Sequence, residues 1–219
     1  MNSVRKDPTL KKLLTRFESL GDHCEFGLVQ RHFGVDLPGL LRFGHITVDN
    51  LISALENRFE GVGEPENTYV CLNENREYFV GDTRWFRMHT WIRESELPWK
   101  SVLENASTYL GVQTRRLVAD LEDGDKIFVH RKRVNPLTTD EIDRLQKSIT
   151  ANFPRAAFMV TSLATLAHPA GTVELVSPRI LCGYIDRYSA DDSTPISYSC
   201  WEATCRNAER LGKQLGWLT

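Results

Sequence analysis

One cysteine lies where a helix is predicted to begin. Residues 16–21 are typical of a strand end and a tight turn, and Asp22 then opens a helix that buries Phe26. With Asp22 as the N-cap, Cys24 is at the second helical position, where free N–H groups and the helix dipole favour a thiolate. The N–H groups from Gly21 to Cys24 can also bind an oxyanion during acyl transfer. We therefore predict a nucleophilic thiol of lowered pKa, the alternative being a packed, unreactive cysteine.

A nucleophilic cysteine needs a base within hydrogen-bond reach, commonly a histidine, and often a third group that orients the base. Of the six histidines, His89 is the best candidate because it follows a predicted strand-and-loop segment, 82–86. Its alternative role is packing among neighbouring aromatic residues. Asp22 is the predicted orienting carboxylate, with helix capping as its alternative, and Asp82 is a second acidic candidate.

Further residues are candidates for contact with a substrate. His23 is the neighbour of the thiol, and His45 can enter the same cleft after a strand. Arg42 and Arg131 lie at predicted strand ends, where a guanidinium group can hold a carboxylate or a phosphate. Surface ion pairing is the alternative role for both arginines. Gly21 completes the predicted substrate-binding set through its backbone.

Signals for other chemistry are weak. The chain has no Cys-x-x-Cys pair, His-Glu-x-x-His motif, P-loop or Gly-x-Gly-x-x-Gly motif. Cys200 and Cys205 have no second ligand pair nearby, so we predict no metal and no cofactor. Cys200 follows Ser199, which begins a capping-box pattern, and is a second helix-start thiol, although its neighbour Trp201 favours burial.

The elements that must position these residues alternate along the chain. Helices are predicted over 48–59, 102–121, 138–149 and 199–215 from apolar residues at helical spacing. Strands are predicted at 126–130, 156–161, 173–176 and 179–184, with a strand end within 16–21 and a possible antiparallel hairpin over 69–80. This alternation predicts a layered α/β fold, with a largely parallel central sheet flanked by helices. In such folds ligands bind beyond the carboxyl ends of strands.

Composition narrows the class of protein. The 219 residues carry a formal net charge of −2 and are 41% hydrophobic, which fits one α/β domain, 16–219, after a polar N-terminal arm, 1–15. The near-neutral balance argues against nucleic-acid binding, and no apolar run is long enough to cross a membrane. Five cysteines without a secretory signal predict reduced thiols and a cytoplasmic location.

One string carries a resemblance to a known family. The run Phe17-Glu-Ser-Leu-Gly-Asp-His-Cys-Glu-Phe-Gly27, followed by Leu41-Arg-Phe43, resembles a bacterial family of uncharacterised proteins described as papain-like cysteine peptidases. Its pattern is Ser-Leu-Gly-x-x-Cys, and weaker matches extend over about residues 16–160. The resemblance implies Cys24 as nucleophile and His89 as base. The family's Phe-Asp-Trp reads Phe43-Gly-His45 here, so one acidic family position is missing.

Two functions follow from these residues. The first is a cysteine-dependent hydrolase or acyl transferase that acts on a small-molecule, peptide or saccharide substrate. The resemblance also implies an association with polysaccharide or glycosylation genes, and hence a role in glycan metabolism. The alternative is a non-catalytic α/β module that binds a saccharide or nucleotide-sugar beside a glycosyltransferase. A sulfur-to-histidine distance of about 3–4 Å, facing a cleft, would favour the enzyme. The oligomeric state is left open.

Overall fold

The protein is described by a computed structural model that covers residues 8–189 and 194–218. Helices α1 to α6 span, in order, Pro8–Leu14, Glu25–His32, Val48–Glu56, Trp99–Asp123, Thr139–Asn152 and Tyr198–Gln214. Strands β1 to β9 span Phe17–Ser19, Gly44–His45, Thr68–Leu72, Glu77–Asp82, Phe86–Arg93, Ile127–His130, Ala157–Leu163, Val173–Ser177 and Ile180–Ile185. Within the described residues, no helix is both long and apolar enough to cross a membrane.

The central sheet, called sheet A here, has the strand order β1-β6-β7-β9-β8. Strands β1, β6, β7 and β9 are parallel, and β8 pairs antiparallel with β9 at the edge. Successive side chains of a strand point to opposite faces, and both faces of sheet A are covered. Ile127 and Val129 pack with α1, α2 and α6, whereas Phe128 packs with α3, α4 and α5. The predicted layered α/β fold with a mostly parallel sheet is confirmed.

A second sheet, called sheet B, is antiparallel with the order β2-β5-β4-β3. The predicted hairpin forms its β3–β4 pair, so the hairpin is part of a larger sheet. One face of sheet B, with Val80 and Met88, belongs to the same apolar core as Phe128 and Phe158 of sheet A. The core therefore continues from one sheet to the other. The opposite face of sheet B carries the alternate, more polar side chains.

Local signals explain most helix ends. Thr47 caps α3 by accepting the N–H of Asn50, and Thr138 with Glu141 forms the predicted capping box of α5. Gly124 ends α4 in the left-handed conformation, at φ 71°, which glycine adopts without steric cost. The predicted box at Ser199 is wrong, because α6 already begins at Tyr198.

Two other predictions need correction. Part of the segment expected to be a polar arm, 1–15, is helix α1, whose three leucines, Leu10, Leu13 and Leu14, are buried under α6. Residues 1–7 of that arm lie outside the described residues. The helix expected to start at Asp22 starts at Glu25, with Cys24 as its N-cap.

Candidate functional site

Cys24 lies beyond the carboxyl end of β1, at the edge of sheet A where ligands bind in parallel folds. The chain stays paired after β1 and β6 end, because the Asp22 N–H donates to the Arg131 carbonyl at 3.1 Å and the Arg131 N–H donates to the Gly21 carbonyl at 3.0 Å. This pairing fixes the turn before the cysteine. Cys24 is half-buried, and its thiol is not in a disulfide.

The structure brings Cys24 together with two histidines from sheet B. One donor atom from each of Cys24, His45 and His89 lies within 4.8 Å of the other two. His45 is the last residue of β2, and His89 lies in β5, the strand paired with it. The thiol and the predicted base, which are far apart in the sequence, thus meet where the edge of sheet A faces sheet B.

A carboxylate that the sequence analysis missed contacts the predicted base. Glu77 contacts Nδ1 of His89 with its Oε1 at 3.0 Å and its Oε2 at 3.3 Å. The Trp91 N–H donates to the same Oε1 at 3.0 Å, and the Asn73 side chain donates to Oε2 at 3.3 Å. A carboxylate on Nδ1 selects the tautomer that leaves Nε2 as a proton acceptor. Cys24, His89 and Glu77 therefore have the order of contacts that a nucleophile, a base and an orienting carboxylate would need.

The geometry of β4 and β5 explains how Glu77 reaches His89. Phe79 is the register partner of His89, and the register shifts between Glu77 and Phe79, which marks a β-bulge. Bulges occur beside active sites because they redirect a side chain. Glu77, Phe79 and His89 lie on the face of sheet B that is away from the core. Because alternate residues of a strand share a face, the alternation along β4 and β5 was the sequence signal that could have identified Glu77.

Aromatic rings hold His89 in place. The His89 ring stacks on Trp91 with a centroid separation of 4.9 Å and an interplanar angle of 15°, and the Phe79 ring lies 4.2 Å away. Only a fifth of the His89 side chain is exposed. These rings restrict the rotation of the imidazole. The contact between Nδ1 and Glu77 then determines the direction in which Nε2 points.

The predicted lowering of the thiol pKa is wrong. Burial raises the pKa of Cys24 to about 11, and the nearby positive charge of Arg133 offsets this only in part. Cys24 is the N-cap and not an interior helix residue, so desolvation of the thiolate outweighs the helix dipole. The resting residue is a neutral thiol.

This raised pKa predicts how Cys24 reacts with iodoacetamide. Below its pKa the thiolate fraction of a thiol increases about tenfold per pH unit, so the Cys24 labelling rate should keep rising from about pH 7 to about pH 10. In urea-unfolded protein the same residue should level off above about pH 8.5. Peptide mass spectrometry measures both rates. A plateau in the folded protein below about pH 9 would contradict the raised pKa.

Asp22 and His23 have structural contacts beside the thiol. An Asp22 carboxylate oxygen accepts the Arg133 backbone N–H at 3.2 Å, and burial raises the pKa of Asp22. The side chain of Asp22 is therefore bonded away from His89, whose orienting carboxylate is Glu77. His23 accepts the Glu25 N–H through Nδ1 at 3.2 Å, and burial lowers its pKa to about 4.

The two arginines that were predicted to bind an anion form hydrogen bonds and ion pairs with groups of the protein itself. The guanidinium of Arg131 is buried and pairs with Glu25 at 3.1 Å. The guanidinium of Arg42 is also buried, and it donates to carbonyls of Val35, Leu37 and Gly27 and to Asp36. Neither residue lines the cleft whose wall includes Asp22 and His45. Strand-end position alone could not separate them from exposed arginines.

Gly21 is a position where a side chain would not fit. Its φ is +75°, and an added Cβ would lie 2.8 Å from Ile46 and 3.0 Å from the Gly44 carbonyl. The turn before Cys24 thus lies directly on the segment that leads into β2. This close approach is what brings the thiol next to His45.

The trio of Cys24, His45 and His89 also has the donor set of a zinc site. Tetrahedral zinc holds nitrogen and sulfur ligands about 3.4 Å from one another, and the donor atoms of these three side chains all lie within 4.8 Å of one another. The Glu77 contact is the outer-shell carboxylate that metal-bound histidines commonly have. The three donors come from distant segments, which is why sequence spacing gave no metal motif.

No protein-family model matches the chain, and no curated protein matches it either. The resemblance of residues 17–27 to the papain-like family stays a prediction. The functional conclusion therefore depends on the geometry of the site.

Proposed function

We propose that the protein is a cysteine-dependent hydrolase or acyl transferase. The observation that carries this proposal is the arrangement of Cys24, His89 and Glu77, in which a ring nitrogen of His89 lies within 4.8 Å of the sulfur and Nδ1 of His89 contacts the Glu77 carboxylate. Such a triad is the general design of an activated cysteine nucleophile. The resemblance to papain-like cysteine peptidases supports the same pair, Cys24 and His89.

In the proposed reaction, the sulfur of Cys24 attacks a carbonyl carbon while its proton moves to Nε2 of His89. The carbonyl bond then re-forms, the bond to the leaving group breaks, and the leaving group takes the proton from His89. The acyl group is now on Cys24. Water, in a hydrolase, or a hydroxyl group, in a transferase, attacks this thioester and restores the thiol. Because the resting thiol is neutral, His89 acts as a general base during the attack.

The oxyanion formed during this attack needs hydrogen-bond donors. The backbone N–H groups of His23 and Cys24 donate to no acceptor within the part of the chain that the structure describes. They belong to the nucleophilic residue and to the residue before it, within the segment from Gly21 to Cys24 that the sequence analysis proposed for this purpose. We assign the oxyanion to these two donors, since unpaired N–H groups at a nucleophile serve this purpose.

The substrate we propose is a peptide, an ester or an acyl donor to a saccharide. The resemblance suggests a bacterial glycan pathway, and it does not choose between hydrolysis and transfer. All five thiols are unpaired, which supports a reducing compartment such as the cytoplasm. We propose no role in nucleic-acid binding.

An activated ester tests this function directly. Incubation with p-nitrophenyl acetate should place one acetyl group on Cys24 and release nitrophenolate in a burst, because the thioester forms before water removes it. Intact-protein and peptide mass spectrometry identify the modified residue. The acetyl group should be absent in Cys24→Ala.

Two controls make the result specific. Cys71 is a half-buried thiol of β3 that lies opposite Phe79, so Cys71→Ala should leave the burst unchanged. A metal chelator should also leave it unchanged if the thiol is the nucleophile. A burst that survives in Cys24→Ala, or that a chelator abolishes, would overturn the proposal and favour metal chemistry at the same trio.

A further inference from the structure

A cleft opens beside His45, the imidazole that neighbours Cys24. Its volume is about 500 Å³, and it lies between the segment that follows β6 and the outer face of sheet B. His45 belongs both to the wall of this cleft and to the trio with Cys24. A substrate held here would therefore contact the imidazole that neighbours the reacting sulfur.

Four cationic side chains line this cleft, and they are not equivalent. Arg84 is paired with Asp82 at 2.8 Å, and Lys132 is paired with Glu141 at 2.7 Å. Arg87 and Arg133 have no carboxylate within salt-bridge distance among residues 8–189 and 194–218. Both are exposed. The cleft thus contains two guanidinium groups whose charge the described protein does not neutralise.

The two arginines flank His45. Nη1 of Arg133 lies 3.3 Å from Nδ1 of His45, which is the imidazole next to Cys24. This contact orients the guanidinium, and an imidazole carries no negative charge that would cancel the charge of Arg133. Arg87 is the register partner of His45 across β2 and β5, and its guanidinium lies 5.6 Å from the centre of the Phe79 ring.

One negative group opposes them. Asp22 lines the same cleft, and one of its oxygens accepts the Arg133 backbone N–H at 3.2 Å. Asp82 lines it too, but it is already paired with Arg84. Two unpaired guanidinium groups against one carboxylate leave the cleft with a positive field, which would raise the local concentration of an anion.

We infer that Arg87 and Arg133 bind an anionic group of the substrate, a carboxylate or a phosphate, and place its carbonyl beside Cys24. This inference rests on the proposed function and names the chemical class of its substrate. Guanidinium groups suit both anions because their donors match the spacing of two oxygens. These two residues take the place of Arg42 and Arg131, whose guanidinium groups are bonded inside the protein.

Two alkylating reagents that differ in charge test this inference. Iodoacetate is an anion and iodoacetamide is neutral, and both react with the same thiolate. At one pH, the rate of Cys24 labelling by iodoacetate is divided by the rate of labelling by iodoacetamide. The thiolate fraction is the same for both reagents and cancels, so this ratio reports the charge near Cys24. We expect the ratio to fall about tenfold in Arg87→Gln/Arg133→Gln, since a positive cleft concentrates anions. Added sodium chloride should reduce the ratio in the native protein.

A matched control uses Arg210, an exposed arginine of α6 outside this cleft. Arg210→Gln should keep the native ratio. Equal ratios in the native protein and the double variant, or the same fall in Arg210→Gln, would overturn the inference. Failure of the proposed function shows separately, as a missing acetyl group on Cys24, because the ratio needs only a reactive thiolate.

Protection experiments then distinguish the two anions. Inorganic pyrophosphate and glutarate are added separately, at matched ionic strength, during iodoacetamide labelling of Cys24. Slower labelling with pyrophosphate alone identifies a phosphate-bearing substrate, and slower labelling with glutarate alone identifies a carboxylate. Protection that persists unchanged in the double variant would contradict the assignment to Arg87 and Arg133.

Discussion

Replacing His89 with glutamine is expected to slow the turnover of p-nitrophenyl acetate by about 10²–10⁴-fold, the usual contribution of a general base. The resting thiol is neutral because burial raises its pKa to about 11, so attack requires a group that takes the proton. His89 is the histidine of the trio whose Nδ1 contacts a carboxylate, that of Glu77. Glutamine keeps much of the side-chain volume beside Trp91 and cannot accept the proton in the same way. Steady-state release of nitrophenolate measures the effect.

Three comparisons separate a base from a merely structural residue. Free imidazole should restore part of the lost rate in His89→Gln, which a packing defect would not allow. In a Cys24→Ala background, His89→Gln should cause no further loss of rate, because the effects of substituting residues that act as a unit are not additive. Glu77→Gln should show a smaller loss than His89→Gln. A rate in His89→Gln within about threefold of the native protein would exclude His89 as the base.

The second large effect concerns stability. Glu25→Gln is expected to lower the free energy of unfolding by about 3–5 kcal/mol, the usual cost of leaving a buried charge without its partner. The Glu25 and Arg131 side chains are 0% and 1% exposed, and their contact is 3.1 Å. Glu25 also accepts hydrogen bonds from the Trp201 indole at 2.8 Å and from the Ser189 N–H at 3.2 Å. Urea denaturation followed by circular dichroism measures the loss.

An exposed ion pair of α6 provides the control. Glu202 pairs with Arg206 one helical turn away, and Glu202→Gln should cost no more than about 0.5 kcal/mol. The double variant Glu25→Gln/Arg131→Met should recover part of the loss, since it removes the unpaired guanidinium. If Glu25→Gln and Glu202→Gln cost the same, the buried pair does not stabilise this fold.

The sequence was sufficient to predict the helices and strands whose apolar residues recur at a regular spacing. Apolar residues at helical spacing identified α3 and α4, and the capping box at Thr138 identified the start of α5. Short buried runs identified β6, β7 and β9 because they are bounded by turns and rich in apolar residues. Strand β5 was missed as an eight-residue strand, since its outer face mixes charged and aromatic side chains.

The site was predictable only in part. Cys24 and His89 were chosen from residue chemistry and resemblance, and the structure brings them together. Glu77 could not be chosen, because its approach to His89 depends on the register of β4 and β5 and on a bulge. The arginines were misjudged for a similar reason: burial by distant segments separates Arg131, paired with Glu25, from the exposed Arg133 two residues later.

Gly27 shows how the two halves of the site are joined. In helix α2, a Cβ at this position would lie 2.5 Å from the Arg42 carbonyl and 2.8 Å from the Phe43 ring, so the helix that begins after Cys24 rests directly on the chain that leads to His45. The thiol belongs to the parallel sheet and the imidazole to the antiparallel one. The separation of the sulfur and the His89 ring therefore depends on how closely two separately hydrogen-bonded sheets dock, and substitutions in the core between the sheets are expected to change the reactivity of Cys24 without altering a site residue.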